Sequence, residues 1–559
     1  MSKRSKKKQL QDAPPETPVK TITGDTRYLY WAILVLIVIL TALVRVRLLG
    51  MPLERDEGEY AYMGQLLLQG IPPYQIAYNM KLPGTYAAYA AIMFFFGQSA
   101  AGIHLGLMVV NAATIVFVFL IGERLFDRFV GLAAGCSFAI LSLSPTVLGT
   151  AAHATHFVLL PALSGILLLL ASIESKKMGL LFWSGILLGL SFLMKQPGIF
   201  FVIFALLYLL YTLYNRADSS FLAVTKQGGL LLAGAATPFV MTCGILYAAG
   251  AFDKFWFWTF SYAFQYGTKI PFSEGVREFL DSFAIVIGNF YLFWGLAAVG
   301  MGFLFWQKTF RRQIPFVFGF SLFSFLAICP GLHFRWHYFI LLLPAVSLLI
   351  GVGLGGLKNV FLSWQPRLAF LPAGLFMVIL LLALFQYRAF FFQYTPNQAC
   401  RFLYVFNPFI ESIEIAKYIQ AHSKETDTIA VIGSEPQIYF YANRHSATGH
   451  IYTYALMEDQ KYARQMQKEM IDEVEKAKPE FLVFAGVPNS WLIQSNSETS
   501  IFRWVDSYSR REYDLVGVID LFFGRDAHYH WGDEAKRSPP KSKEYFLVFK
   551  RKHPTSPGS

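Results

Sequence analysis

Side chains able to do chemistry gather early in this 559-residue chain, in the run Arg55-Asp56-Glu57-Gly58-Glu59. The run follows a long apolar stretch at 28–49, which is enough to cross a bilayer. A basic leader (Lys3, Arg4, Lys6, Lys7 and Lys8) precedes that stretch and by the positive-inside rule stays in the cytoplasm. Asp56 and Glu57 then fall just past the outer end of the first helix. Carboxylates at a membrane face are costly unless they act, and the work a carboxylate does best there is proton transfer to or from a hydroxyl. Lys81 follows about 25 residues later, and Lys195, His333, Arg335 and His337 stand at the outer ends of later apolar runs. Each could meet an anion or anchor its helix at the interface. His153 and His156, three apart on one helical face, could hold a divalent metal ion with a carboxylate, or act only as polar punctuation at a membrane surface.

The elements that must position these residues are membrane helices. Only 15% of the residues are charged and 55% are hydrophobic, a balance no soluble surface of this size sustains. The net charge of +12 is scattered over short loops, as in the cytoplasmic loops of a polytopic protein, and gives no nucleic-acid surface. Apolar runs lie near 28–49, 102–122, 130–149, 157–173, 179–194, 197–214, 228–250, 283–306, 314–331, 338–355 and 368–392. A further stretch at 82–96 either spans or lies on the outer surface. If it does not span, every basic loop (Arg124 and Arg128; Lys176 and Lys177; Lys308, Arg311 and Arg312) is cytoplasmic, so eleven spans are expected, with 82–96 as a juxtamembrane element. Cys136, Cys243, Cys329 and Cys400 have neither metal-ligand nor disulfide-framework spacing.

After 392 the pattern changes. Alternating runs at 428–433, 480–485, 514–519 and 544–549, with helical periodicity at 411–421 and 459–477, predict a small α/β domain. Span parity puts it outside the cytoplasm. The expected organisation is a cytoplasmic leader at 1–27, a transmembrane catalytic domain at 28–395 with its first outer loop at 50–101, an extracytoplasmic α/β domain at 396–552 and a tail at 553–559. The outer domain is expected to help bind an acceptor. The loop at 251–282, rich in Trp and Tyr, reads equally as a lid or sugar platform and as an amphipathic surface helix.

Several motifs fall in a familiar order. After the outer Asp56-Glu57 come Lys81-Leu82-Pro83, the Gly122–Arg128 segment closing a span, Lys195-Gln196-Pro197 between two spans, and His337-Tyr338-Phe339 opening a late span that contains Pro344. Over roughly 28–395 the series resembles bacterial GT-C glycosyltransferases, the relatives of dolichyl-phosphate-mannose protein mannosyltransferase and of aminoarabinose lipid A transferase. One departure is Leu82, where the family pattern reads Lys-Pro-Pro. The resemblance implies a polytopic α-helical fold in the cytoplasmic membrane and a polyprenyl-phosphate sugar donor. It further implies a lipid, glycan or protein acceptor bearing a hydroxyl; direct displacement by a single base, with no second carboxylate placed as a covalent nucleophile, predicts inversion at the anomeric carbon. The resemblance makes Asp56 the base, has Glu57 orient the acceptor or a cation, and assigns the phosphate to Lys81 with Arg55. Lys195, Arg335 and His337 become further donor contacts. A divalent metal ion is compatible with the resemblance but not required by it. A transporter or flippase of lipid-linked sugars would need intramembrane charges and repeats, a non-catalytic scaffold would leave the acids without purpose, and an O-antigen-type ligase usually carries its key loop late in the chain.

Overall fold

The structure, a computed structural model, describes residues 26–216, 220–405 and 407–553. The expected leader before residue 26 and the tail after 553 lie outside the described residues. Among the described residues, eight helices are long and apolar enough to cross a membrane. They include α1 (Thr26–Arg47), α4 (Ala100–Leu125) and α6 (Ala154–Ser175), with later ones at Phe221–Ala248 and Leu343–Trp364. The chain is a multi-pass membrane protein. Three of the eleven expected spans fall instead on shorter apolar helices: α5 (Arg128–Leu141), Met178–Met194 and Ile314–Leu326. At 14, 17 and 13 residues, they are about 20–25 Å long, short of the roughly 30 Å hydrocarbon core. Helix α5 stops early because the chain turns at Ser142 and Ser144, where the Ser144 hydroxyl caps the turn opened by Pro145.

Between α1 and α4 stand two further helices, α2 (Arg55–Leu68) and α3 (Gly84–Phe96). Helix α3 covers the ambiguous stretch and, at 13 residues, is too short to span. It buries Tyr86 and Tyr89 inward and leaves Phe94, Phe95 and Phe96 exposed, the distribution of a helix lying at the headgroup level. Glu54 caps α2 in a capping box: its side chain accepts from the Glu57 N–H at 2.9 Å, and the Glu57 carboxylate accepts from the Glu54 N–H at 3.1 Å.

The C-terminal part forms a six-stranded mixed sheet ordered β2-β1-β3-β6-β4-β5. Its strands are β1 (Thr428–Ile432), β2 (His445–Ser446), β3 (Phe481–Gly486), β4 (Tyr513–Leu521), β5 (His528–Trp531) and β6 (Glu544–Arg551). β1 pairs in parallel with β2 and β3, while β6 runs antiparallel between β3 and β4. One apolar core joins this sheet to the 50–101 segment and the 251–262 segment: Tyr62, Tyr78, Tyr86, Trp258 and Tyr262 share it with Tyr439, Ile451 and Val483. Tyr62 stacks on Tyr439 at 5.2 Å, and its hydroxyl accepts from the Ser446 N–H at 2.7 Å. Gly58 faces Gln437 so closely that a Cβ there would lie 2.6 Å from the Gln437 Cβ. The 251–282 segment divides: Trp258 stacks on Tyr78 at 5.3 Å within this core, whereas the helix Phe272–Ile287 exposes Phe272, Val276 and Leu280.

Candidate active site

Where α2, one set of membrane-helix ends and the sheet domain meet, they enclose a cavity of about 820 Å³. The helix ends around it are the start of α6 (His153, Ala154), the turn after Met178–Met194 (Lys195, Gln196) and the 3₁₀ segment Trp336–Leu341 that leads into Leu343–Trp364. The basic loops carrying Arg124, Lys176, Lys177 and Arg367 occupy the opposite ends of these or neighbouring helices.

Asp56, in the first turn of α2, presents a side chain one-fifth exposed into this cavity. Its Oδ1 accepts from Lys81 Nζ at 2.7 Å and from the Tyr452 hydroxyl at 3.2 Å; Oδ2 accepts from no described residue. Lys81 is doubly paired. Its Nζ also donates to Glu59 Oε2 at 2.7 Å and lies 4.6 Å from the Tyr60 ring centre. Glu59 is fully buried and takes further bonds from Asn79 and Tyr86. Burial alone would raise the Asp56 carboxyl, but Lys81, with His153 and Lys195 adding to it, holds it far below the usual carboxylate range. Burial and the charges of Asp56 and Glu57 push Glu54 the other way, well above that range. Two neighbouring carboxyls thus have opposite proton affinities, the pattern expected where protons are handled.

The cations divide by partner. Arg55 turns to the sheet domain: its side chain, 8% exposed, pairs with Glu435 at 2.6 Å, bonds the Ser434 carbonyl, and donates to Asn407 Oδ1 at 3.1 Å. Lys195 has no carboxylate partner among the described residues and lies 3.9 Å from the Tyr338 ring centre; burial brings its ammonium down to about 7. Arg335 likewise opens into the cavity without an ion-pair partner among the described residues. Lys269 pairs with Glu458 at 3.3 Å, and Glu458 also accepts from the Tyr262 hydroxyl at 2.8 Å. Among the described cations that line the cavity, Lys195 and Arg335 are therefore the two not engaged by a carboxylate. The expectation that Lys81 and Arg55 hold a phosphate meets two cations already engaged by carboxylates.

Glu57 is not in the cavity. It is fully buried under α2, where it accepts from the Ala152 N–H at 2.5 Å, pairs with His104 at 3.0 Å and closes the capping box. Its burial and three partners speak against the expectation that it orients the acceptor or a cation, since its side chain does not line the cavity. Arg45 and Arg47 are structural too: Arg45 donates to the Ser142 and Gly149 carbonyls, and Arg47 to the Phe391 and Tyr394 carbonyls.

The metal expectation divides in the same way. His153 comes together with Asp56 and His337, one ligand atom of each lying within 4.8 Å of the others, while His156 is buried one turn along α6 and stands outside the group. The His153 and His337 rings stack at 4.1 Å. Burial keeps both imidazoles neutral, His153 at about 4 and His337 well below its ordinary value. Both ring nitrogens of His153 are buried without a hydrogen-bond partner. One carboxylate and two neutral imidazoles, one of them orphaned, fit a divalent first-row ion. Glu54, Glu59, Tyr452 and Tyr454 also build the site and escape a sequence reading. Glu59 stands in the acidic run that could have pointed to it, whereas nothing local marks Tyr452.

Membrane helices in this arrangement, capped by a small mixed-sheet domain, are similar to the GT-C fold. Residues 81–241 match the family model of dolichyl-phosphate-mannose-protein mannosyltransferase. The whole chain is similar in fold to ArnT from Cupriavidus metallidurans, solved bound to undecaprenyl phosphate, at 14% identity over 94% of this chain and 98% of that one, with a TM-score of 0.56. It is also similar to the archaeal oligosaccharyltransferase AglB from Archaeoglobus fulgidus, solved with an inhibitory peptide and a dolichol-phosphate, at 11% identity over 91% of this chain and 75% of that one, with a TM-score of 0.52. No curated protein sequence matches the chain. The resemblance read from the order of the motifs holds at the level of fold.

Proposed function

We propose that this protein is a glycosyltransferase that moves a sugar from a polyprenyl-phosphate carrier to an acceptor hydroxyl, on the membrane face opposite the basic loops. The observation that carries this reading is the cavity itself: in a GT-C-like fold, the partly exposed carboxylate of Asp56 opens into the same cavity as Lys195 and Arg335, two cations without an ion-pair partner among the described residues. The family match at 81–241 and the undecaprenyl phosphate bound to ArnT support a donor of that class. By the positive-inside rule the basic loops face the cytoplasm, so the cavity and sheet domain lie outside it, in the cytoplasmic membrane of a bacterium.

In this reading Lys195 and Arg335 hold the leaving phosphate, and Asp56 takes the proton from the acceptor hydroxyl as it attacks the anomeric carbon from the opposite face, with inversion. Lys81 keeps Asp56 ionised. A carboxylate held so far below its usual range is a weak base, so Asp56 acts late, as charge builds on the attacking oxygen, and also stabilises the cationic sugar ring. A divalent ion held by Asp56, His153 and His337 would supply further positive charge toward the phosphate. The rival reading as a transporter is weaker, because ionisable groups collect in one cavity at the helix ends instead of lining a path through the spans.

Mass spectrometry of lipid-linked sugars tests the reading. A deletion strain should accumulate one polyprenyl-monophosphate sugar, the wild-type gene should clear it, and Asp56→Asn should clear it about 10²-fold more slowly, the low end for a general base. No accumulation, or normal clearance by Asp56→Asn, would refute it.

A further inference from the structure

Tyr452 comes from the sheet domain, nearly 400 residues from Asp56 in sequence, yet its hydroxyl lies 3.2 Å from Asp56 Oδ1. The backbone around it is fixed. Ile451 is fully buried, the Thr453 N–H donates to Ser434 Oγ at 2.9 Å, and the Thr453 hydroxyl donates to the Ser490 carbonyl at 3.1 Å. Its ring meets Tyr454 edge-on at 4.8 Å, and Tyr454 is tied by its own hydroxyl to the Asn489 carbonyl at 2.6 Å. The same Ser434 that fixes Thr453 accepts from Arg55 through its carbonyl, and Glu435 next to it pairs with Arg55. Two consecutive residues of α2, Arg55 and Asp56, are thus gripped by two short segments of the sheet domain.

From this geometry we infer that Tyr452 is a positioning residue for Asp56, and that the active site is complete only when the C-terminal domain is docked. The inference rests on the reading of Asp56 given above. Lys81 cannot set the carboxylate alone, because its ammonium is shared with Glu59 and a single contact leaves the carboxylate free to rotate about its terminal bond. A second donor on the same Oδ1 fixes the carboxylate plane and leaves Oδ2, with no described hydrogen-bond partner, available to a substrate hydroxyl or a cation. In this bond Tyr452 is the donor, since an ionised carboxylate offers only acceptors. Its ring also covers Lys81, with Nζ 5.3 Å from the ring centre.

The test uses the full-length protein in lipid nanodiscs, with the lipid-linked sugar extracted from the deletion strain as donor. Tyr452→Phe should lower kcat about tenfold, the scale of one hydrogen bond to a charged group. The donor KM, the affinity for undecaprenyl phosphate and the melting temperature should stay unchanged. In an Asp56→Asn background the same substitution should cost nothing further, because the group it positions is already gone. Wild-type turnover by Tyr452→Phe beside an impaired Asp56→Asn would overturn the inference alone. So would a further tenfold loss on the Asp56→Asn background, or a matching fall in lipid-phosphate affinity and melting temperature, which would assign Tyr452 a merely structural role. Near-normal turnover by Asp56→Asn would overturn the underlying reading, and the inference with it.

Discussion

Replacing Glu435 by Gln should loosen the contact between α2 and the sheet domain, by an amount the structure sets. The Glu435 side chain is fully buried; its Oε1 holds Arg55 at 2.6 Å and its Oε2 accepts from Gln437 Nε2 at 2.6 Å. Glutamine keeps the shape but removes the charge, leaving the Arg55 guanidinium buried with only neutral acceptors. Breaking a buried pair from one side costs about 3–5 kcal/mol, whereas replacing both partners by apolar residues of similar volume is often neutral. At roughly 1.4 kcal/mol per factor of ten, local opening at this contact should rise about 10²–10⁴-fold. Amide hydrogen exchange of the full-length protein reads this directly in α2 and in the Gln437–Ala442 helix, where opening limits exchange. Arg55→Met with Glu435→Met should restore most of the protection. Unchanged exchange in Glu435→Gln, or equal acceleration in the double variant, would show that the ion pair does not hold the two parts together.

Other outcomes follow from single residues. Lys195, held at about 7 against an ordinary 10.5, must take up a proton to bind a phosphate above pH 7. Undecaprenyl phosphate affinity should then fall by up to about tenfold per pH unit above 7 and level off below it, and Lys195→Gln should bind more weakly without that slope. The same depressed group makes the fold more stable as pH rises from about 7 toward 10.5, where only the unfolded chain keeps the proton. Gly58→Ala, whose Cβ would meet Gln437 at 2.6 Å, should destabilise docking by about 1–3 kcal/mol, seen as a lower melting temperature; an unchanged value would count against the close contact. Elemental analysis of purified protein should find a divalent ion that is lost from His153→Ala and His337→Ala but retained by His156→Ala. With the four native cysteines replaced, Lys424→Cys should label with an impermeant thiol reagent in intact spheroplasts and Thr309→Cys should not; the reverse pattern would invert the orientation.

The elements with strong periodicity were legible in the sequence. β1, β3, β4 and β6 fall on the four alternating runs, and the helices at Phe409–Ala421 and Ala463–Ala477 fall on the two helical patterns. β2 and β5, with two and four residues, are too short for alternation to register and exist only because a neighbouring strand supplies their bonds. Asp56, Lys81, His153 and His337 could be named from position, since charge at a helix end is visible in one dimension. Their roles could not. Whether a lysine is free or clasped by two carboxylates depends on side-chain distances, and that separates Lys81 from Lys195. Glu57 misled because an acid in a first helical turn serves a cap and a catalyst equally well. Tyr452 was invisible because only tertiary folding brings it to Asp56.

The core shared by the 50–101 segment and the sheet domain also has a consequence for biosynthesis. Tyr62 is buried by Tyr439 and bonded by Ser446, 384 positions further along the chain. At about 5–20 residues per second, ribosomes need roughly 20–80 s to make the intervening chain. Throughout that time the face of α2 that carries Gly58 and Tyr62 lacks the sheet domain that covers it, while the inward tyrosines of α3 pack on α2 and α6 and the later spans are still being inserted. The first-made part of the site thus depends on the last-made domain, and a ribosome that stalls before 439 leaves an inserted membrane domain with its reactive helix uncovered. Such a product would expose the aromatic face that carries Tyr62 to proteolysis, so that only completed chains present an enclosed cavity.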